Sequence, residues 1–218
     1  YHNASIIIVS SGGGFGYGQL GMSHHATEDI GIMNVLPNVE IYAPATPAEA
    51  TLILPHIYNR EGVKYLRLEK SGDDYQHLNN NPLEDGFFQY REGSDGLVLA
   101  LGTTLNEAMD AADKLSKLGV QISVCSLAVV KSSNENISLN LRILLKKYKV
   151  VVTIEEHNDL GGIGSRVCDI VATSGFKTKV TKIGMKDCYS SIVGDQIFLR
   201  KEYNINSENI LRIFGSKL

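Results

Sequence analysis

The sequence predicts an α/β protein made of two three-layer α/β/α units, each with a largely parallel sheet. Short aliphatic and β-branched runs alternate with stretches of helical periodicity. Strands that alternate with helices of this length imply right-handed crossovers and parallel pairing. A polar, turn-rich interval interrupts the alternation once. We therefore expect domains at residues 1–72 and 96–218, joined by a linker at 73–95.

The composition is that of an ordinary globular protein. Of the 218 residues, 43% are hydrophobic and 21% charged, and the formal net charge is -3. This charge gives no electrostatic reason to expect a nucleic acid or an anionic membrane as a partner. No apolar run reaches the length that spans a bilayer. Cys125, Cys168 and Cys188 lack metal-ligand spacing, so we interpret them as reduced thiols of a cytoplasmic protein.

The elements of the first unit follow from apolar runs and helix-start signals. Ile6 to Ser10 predicts a buried strand, because a continuous β-branched run suits a sheet covered on both faces. Thr46 to Glu49 reads as a capping box with proline at the first helical position. Pro55 predicts a kink or an early end of that helix. Further elements are predicted as a helix at 27–33 and strands at 39–43 and 63–68.

The second unit resumes the alternation after the polar interval. Thr104 to Glu107 reads as another capping box, and Gly119 stands where a left-handed helix cap belongs. Strands are predicted at 97–101, 120–130, 149–154 and 179–183. Helices are predicted from residue 104 and at 137–147, 162–173 and 207–214.

The stretch from Ser10 to Asp29 is the part that folding requirements explain least. It contains six glycines and follows the first strand, and open α/β sheets place ligands beyond the carboxyl ends of strands. A flexible linker fits poorly, because the stretch also carries Phe15, Tyr17 and Met22. No Gly-Lys-Ser/Thr ending marks a phosphate loop. The glycines therefore suggest unusual dihedrals or close approach by a ligand or another chain.

Two motifs resemble the transketolase family. The run from Gly18 to Ile30, Gly-Gln-Leu-Gly-Met-Ser-His-His-Ala-Thr-Glu-Asp-Ile, is similar to the Gly-x-x-Gly-x-Thr-His-x-x-x-Glu segment of the pyrimidine-binding domain. The run from Thr153 to Ser165 is similar to the Val-Glu-Glu-His-x-x-x-Gly-Gly-Leu-Gly signature of the C-terminal domain. The resemblance covers nearly the whole chain. It implies the later part of a pyrimidine-binding domain at 1–72 and the transketolase C-terminal domain at 96–218.

The resemblance implies a reaction and a set of site residues. Transketolases use thiamine diphosphate to transfer a two-carbon ketol unit between sugars, while the protein orients the substrate and moves protons. His24 matches the histidine of the Thr-His motif, and imidazole exchanges protons near neutral pH, so a catalytic role is implied. The alternative for His24 is a helix cap or a polar core position. The implied substrate contacts are Gln19, His25, Lys70 and Arg67.

For three of these contacts the sequence also allows a role with no function in binding. His25 has no strong counterpart in the family, so simple surface polarity is its alternative. Lys70 lies near a phosphate-binding arginine of the family, with Arg67 close by, and both also fit solvated cations at a strand end. Leu20 and Gly12 replace an acidic residue and a histidine that serve the sugar in phosphosugar transketolases. These replacements indicate a substrate other than the usual pentose phosphates.

The second motif carries adjacent ionisable residues. Glu155 and Glu156 are neighbours on a predicted strand, so their side chains point to opposite faces and cannot share a ligand. We interpret both, together with His157, as domain and subunit packing.

The resemblance also implies that essential parts lie elsewhere. In the family, the activating glutamate precedes the segment that begins at Tyr1, and another domain holds the diphosphate and Mg²⁺. The start at Tyr1 without methionine indicates a fragment of a longer gene product, inactive alone. The expected partner is a diphosphate-binding domain or N-terminal transketolase subunit, in a homodimer or heterotetramer. Alternatives are a 2-oxoacid dehydrogenase beta subunit, deoxyxylulose phosphate synthase, and a non-catalytic homologue that serves assembly.

Overall fold

The computed structural model describes residue 2, residues 4–70, residue 73 and residues 75–215. The predicted α/β class with two mostly parallel sheets is confirmed. The strands are β1 (Ile6–Ser11), β2 (Val39–Tyr42), β3 (Val63–Leu68), β4 (Phe88–Arg91), β5 (Gly96–Ala100), β6 (Ile122–Ser126), β7 (Val129–Lys131), β8 (Val150–Asn158) and β9 (Lys179–Met185). The helices are α1 (Asp29–Asn34), α2 (Pro47–Tyr58), α3 (Pro82–Asp85), α4 (Leu105–Lys117), α5 (Glu135–Lys146), α6 (Ile163–Thr173), α7 (Gln196–Glu202) and α8 (Ser207–Gly215). None of these helices is long and apolar enough to cross a membrane.

The two sheets differ in strand order and in how their edges are formed. The first runs β1-β3-β2-β7 and the second β4-β6-β5-β8-β9. All pairings are parallel except β2 with β7 and β4 with β6, which lie at sheet edges. The carboxyl ends of the central strands therefore meet at one edge of each sheet, where the loops that follow them come together.

β1 is exposed, so the prediction of a buried first strand is wrong. Ile6, Ile8 and Val9 are 47%, 41% and 56% exposed. Among the described residues, β1 pairs with β3 alone and lies at the edge of its sheet. The apolar run predicts a strand, but whether that strand is buried depends on which other elements pack against it.

The predicted strand at 120–130 is two strands in two different sheets. β6 runs parallel to β5 in the second sheet, whereas β7 pairs antiparallel with β2 in the first. Between them, Leu127 donates its N–H to the Ala100 carbonyl at 2.9 Å, and Ala128 accepts from Ala43 at 2.8 Å. Residues 122–130 are buried without a break, so their apolar pattern does not reveal the change of sheet. The second unit thus completes the sheet of the first.

Regular structure extends into the interval predicted as a linker. β4 forms an edge of the second sheet and follows the short helix α3. Phe88 of β4 is fully buried, and the Tyr90 hydroxyl donates to Glu49 of α2 at 2.7 Å. This part of the chain therefore packs against both units.

Helix starts follow the local signals in two cases and depart from them in one. Thr46 Oγ1 accepts from Glu49 N at 3.1 Å, as the capping box predicts, and α2 continues past Pro55 to Tyr58 rather than ending early. Thr104 does not cap α4, because its hydroxyl donates to the Leu101 and Ile154 carbonyls. α7 was not predicted, although the Asp195 carboxylate caps it by accepting from Phe198 N at 2.8 Å.

Two apolar cores each draw side chains from both units. β5 divides them, since Leu97 and Leu99 enter one core and Val98 enters the other, as alternate residues of a strand must. Phe15 of the first unit shares a core with Val98, and Ile30 shares one with Leu97. The second unit consequently packs directly beneath the glycine-rich stretch of the first.

Candidate functional site

Residues 12–26, here named the glycine loop, follow β1 and form a closed turn. Gly12 N and Gly13 N both donate to the Leu68 carbonyl, at 2.9 and 3.1 Å. Gly14 and Ala26 exchange two backbone hydrogen bonds of 2.9 Å each. Gly12 and Gly14 have φ of 92° and 61°, which L side chains rarely adopt. The glycines therefore close a fixed turn at the carboxyl end of the strand.

The two histidines of the glycine loop occupy different environments. His24 ends a 3₁₀ turn (Met22–His24) and is exposed, with Nδ1 3.0 Å from Ser23 Oγ. It neither caps α1 nor fills a core position. His25 is half-buried; its Nε2 lies 3.3 Å from the Gly18 carbonyl and its ring meets Phe15 edge-on, with centroids 5.3 Å apart. His24 is thus open to a ligand, whereas His25 also supports the loop.

Two of the predicted substrate contacts share a groove. Gln19 and Lys70 are both exposed and line an open groove of about 600 Å³ between the glycine loop and the start of α7. Asp195 and Gln196 form the opposite side, and Leu20 adds apolar surface. The groove therefore combines one cation and one carboxylate with amide and apolar groups.

Arg67 does not reach this groove, and neither interpretation made from the sequence fits it. Its side chain is fully buried and pairs with Glu69 and with Asp29 Oδ2, the latter at 3.1 Å. It also donates to the Ala26 and Glu156 carbonyls at 3.1 and 3.2 Å. Burial alone would lower the pKa of Arg67, but the adjacent carboxylates raise it. Arg67 is a buried cation beneath the glycine loop rather than a solvated one.

A buried carboxylate continues this network toward the second unit. Glu69 pairs with Arg67, and its Oε2 accepts from Thr103 N at 2.8 Å and from the Thr103 hydroxyl. Burial raises the pKa of Glu69, against the opposing effect of Arg67. Thr103 Oγ1 in turn accepts from Arg200 Nη2 at 2.7 Å. The end of β3 is thus connected to α7.

Glu156 lies at the centre of the network and is fully buried. Its Oε2 accepts from Phe15 N at 2.8 Å and from Gln196 Nε2 at 2.9 Å. Its Oε1 pairs with Arg200 Nε. One carboxylate of the second unit therefore holds both the glycine loop and α7.

The neighbours of Glu156 face other elements. Glu155 accepts from Ile163 N and Gly164 N at 2.8 and 2.9 Å, at the start of α6, and burial raises its pKa to about 7. His157 Nε2 accepts from Gly31 N at 3.0 Å, so Nδ1 carries the proton and donates to the Asn158 carbonyl. Burial lowers the pKa of His157. The prediction that the adjacent carboxylates face opposite sides is confirmed.

Four residues of the network were missed in the sequence, the first of them Glu69 just after β3. Thr103, Gln196 and Arg200 are distant in the chain from Glu156 and belong to no recognisable motif. The helix that carries two of them was detectable from Asp195, a residue type that favours helix N-caps. Their convergence on one carboxylate depends on folding.

The described residues offer no evident metal centre. Within residues 4–70 and 75–215, no three His, Cys, Asp or Glu side chains are grouped as metal ligands. Asp29 and Glu69 are both committed to Arg67.

Fold and site together define a two-unit α/β protein whose accessible histidine lies on a closed loop at a strand end, supported from the second unit. The chain belongs to the transketolase family: residues 1–72 match "Transketolase, pyrimidine binding domain" and residues 89–210 match "Transketolase, C-terminal domain".

Known proteins similar to the chain include individual transketolase subunits. An apulose-4-phosphate transketolase subunit of Actinobacillus succinogenes is 30% identical, over 97% of this chain and 67% of its own. A 6-deoxy-6-sulfo-D-fructose transketolase subunit of Clostridium sp. is 27% identical, over 97% of this chain and 65% of its own. A solved structure described as a split gene transketolase, inactive beta4 tetramer, superimposes with a TM-score of 0.80 at 27% identity, covering 96% of this chain and 66% of that one. The chain spans about two thirds of the length of these relatives.

Proposed function

We propose that this chain is the C-terminal portion or subunit of a thiamine diphosphate-dependent transketolase that transfers a two-carbon ketol unit between sugars. The observation that carries the proposal is the exposed His24 on the closed glycine loop, in a chain whose two units match the family. The match also favours this function over a non-catalytic protein with the same fold, because the loop after β1 carries His24, which resembles the histidine of the family's motif.

His24 is the group that exchanges a proton with the substrate. The bound cofactor would supply the carbon centre at which the carbon-carbon bond is broken and formed. Nδ1 of the exposed His24 is engaged by Ser23, which leaves Nε2 to exchange a proton with the substrate. A neutral imidazole there accepts a proton from a substrate hydroxyl, and the imidazolium returns it to a developing alkoxide. The closed turn fixes where this transfer takes place.

We propose that a partner polypeptide, which binds the diphosphate and the Mg²⁺, completes the site opposite the glycine loop. Support comes from apolar side chains on and around the glycine loop: Leu20, Met22, Val193 and Ile197 are 59%, 51%, 61% and 76% exposed, Val193 approaches Gly21, and Ile197 lines the groove with Leu20. Exposed apolar side chains grouped near a candidate site are typical of a surface that binds another protein chain. The relatives described as a transketolase subunit and as a beta4 tetramer support a heterotetrameric enzyme with an N-terminal subunit.

A cytoplasmic location fits the free thiols of the cysteines.

The substrate class that we propose is a sugar with an anionic terminal group. Lys70 is the cation of the groove and can bind such a group as a point charge. Leu20 and Gly12 remove two polar contacts that phosphosugar transketolases use. The relatives act on apulose 4-phosphate and 6-deoxy-6-sulfo-D-fructose, according to their names, so phosphate and sulfonate sugars are both reasonable tests.

Reconstitution tests this function. The chain is mixed with the diphosphate-binding transketolase subunit of the same organism, thiamine diphosphate and Mg²⁺, and ketol transfer is followed over free, phosphorylated, sulfonated and nucleotide-linked sugars. We expect transfer in the mixture and none with either polypeptide alone. A stable, cofactor-loaded complex that transfers no ketol unit from any of these donors would support the non-catalytic alternative.

A further inference from the structure

We infer that Glu156 is a positioning residue: clamped by Arg200 and Gln196, it holds the glycine loop so that His24 meets the substrate. The part of this inference that concerns catalysis by His24 rests on the proposed function. It assigns a role to a side chain that touches neither His24 nor the groove where Gln19 and Lys70 lie.

The hydrogen bond from Phe15 reaches the base of the glycine loop. Phe15 directly follows Gly14, whose backbone pairs with Ala26, so this single contact holds the point where the closed turn begins and ends. The Phe15 ring is fully buried and stacks on Tyr203, with centroids 5.6 Å apart and an interplanar angle of 21°. Movement at Phe15 would therefore shift both strands of the turn that presents His24.

One face of α7 carries both the clamp and the support for the loop. Gln196, Leu199 and Arg200 of α7 and Tyr203 at its C-cap recur at helical spacing and so lie on one side of the helix. A Cβ at Gly18 would stand 2.5 Å from Leu199 Cδ1, which shows how closely the loop approaches this face. The helix therefore aligns Glu156 and the loop through adjacent side chains.

The negative charge of Glu156 is essential to the clamp. Both carboxylate oxygens accept hydrogen bonds, from Phe15 and Gln196 on one side and from Arg200 on the other. An amide at this position offers one acceptor oxygen and one NH₂, so either the Phe15 N–H or the guanidinium faces a donor. A buried donor without its acceptor is costly, so the amide weakens the clamp that holds the glycine loop through Phe15.

The chain contains a matched control on the same strand. Glu155 is equally buried and also accepts two backbone N–H groups, but those belong to α6 rather than to the glycine loop. Glu155→Gln therefore disturbs a buried carboxylate of the same kind without touching the clamp.

Hydrogen exchange of the full chain tests the clamp directly. We expect Glu156→Gln to speed exchange of amides in residues 15–26 about ten-fold, and Glu155→Gln to act on residues 163–166 instead. In the reconstituted enzyme, Glu156→Gln should lower kcat about ten-fold with KM close to wild type, because loop placement matters most in the transition state. Glu155→Gln should leave both constants within about two-fold.

The outcomes separate the clamp from the proposed function. Equal loop exchange in Glu156→Gln and wild type, or the same loop effect in Glu155→Gln, overturns the inference whether or not the enzyme transfers ketol units. A faster loop with unchanged kcat overturns the catalytic part. Absence of ketol transfer by the wild type is instead a failure of the proposed function. If Glu156→Gln does not fold, Gln196→Ala at the half-buried end of the clamp replaces it, with about three-fold faster loop exchange expected.

Discussion

Gly14 packs against the carboxylate of Glu156 so closely that a Cβ at Gly14 would stand 2.2 Å from Oε2 and 2.5 Å from the Glu156 Cβ. Gly14 lies in the loop after β1 of the first unit and Glu156 in β8 of the second, and their contact closes the space beneath the glycine loop. Because φ at Gly14 is also positive, both the backbone and the packing require glycine here.

Substitution at Gly14 is therefore expected to destabilise the chain more than substitution at a free glycine. Gly62 has φ of 88° with nothing within 4 Å of an added Cβ, so Gly62→Ala costs only the left-handed strain of about 1 kcal/mol. Gly14→Ala adds overpacking of about 1–3 kcal/mol. Urea denaturation of both variants measures the difference, and equal loss of unfolding free energy would contradict the packing argument.

His24→Ala should lower ketol transfer by the reconstituted enzyme about 10²-fold or more, as expected for loss of a general acid and base. Steady-state assays at saturating donor sugar provide the measurement. His56→Ala is the control, because His56 belongs to α2, outside the glycine loop. Turnover of His24→Ala at the wild-type rate would show that His24 takes no part in proton exchange.

Lys70→Met should raise KM for an anionic sugar about ten-fold while kcat stays near wild type, because a contact to a non-reacting group contributes to ground-state and transition-state binding alike. Free sugars should be unaffected. Lys70→Arg should retain much of the binding through its charge. Lys177→Met, at an exposed cation outside the groove, is the control. An equal change for charged and uncharged sugars would argue against an anion contact.

Glu40 predicts a specific loss of stability in acid. Burial opposes ionisation of Glu40, but hydrogen bonds from Arg60 and Ser133 outweigh it and lower the pKa from 4.5 to about 2. The stabilisation is present above pH 4.5 and is lost as the pH falls toward 2, because the unfolded chain then binds a proton that the folded chain excludes. Glu40→Gln should flatten the dependence of unfolding free energy on pH in this interval.

Chemical denaturation at several pH values between 5 and about 2.5 measures this dependence. Glu61→Gln, at an exposed residue, is the control and should keep the wild-type slope. Identical slopes for Glu40→Gln and wild type would show that the pair with Arg60 contributes nothing to acid sensitivity.

Titration of the isolated chain with thiamine diphosphate and Mg²⁺ should show no tight binding, because the proposed function assigns the diphosphate and the Mg²⁺ to a partner polypeptide. Isothermal titration calorimetry provides the measurement, with the reconstituted pair as the positive control. Micromolar affinity of the chain alone would place the diphosphate site within these residues and contradict the division between partners.

Much of the architecture could be predicted because it depends on neighbouring residues. The run Val63 to Leu68 forms a strand with the expected bounds, and Thr46 caps α2 through Glu49 as its spacing requires. The two motifs place the glycine loop and the Glu155-Glu156 pair correctly, and alternation along β8 separates the two carboxylates. These features are local in the chain, so a short window of sequence specifies them.

The sequence by itself determined the α/β class, most strands and helices, and the histidine loop with its family. Only the tertiary structure decided that Arg67 is enclosed, that residues 129–131 cross to the first sheet, and that Glu156 meets Phe15 and Arg200. The physical reason is that periodicity reports which faces of an element are apolar, whereas the partner of a buried charge is chosen among residues far apart in the chain. That choice depends on which groups folding brings within hydrogen-bonding distance once water is excluded.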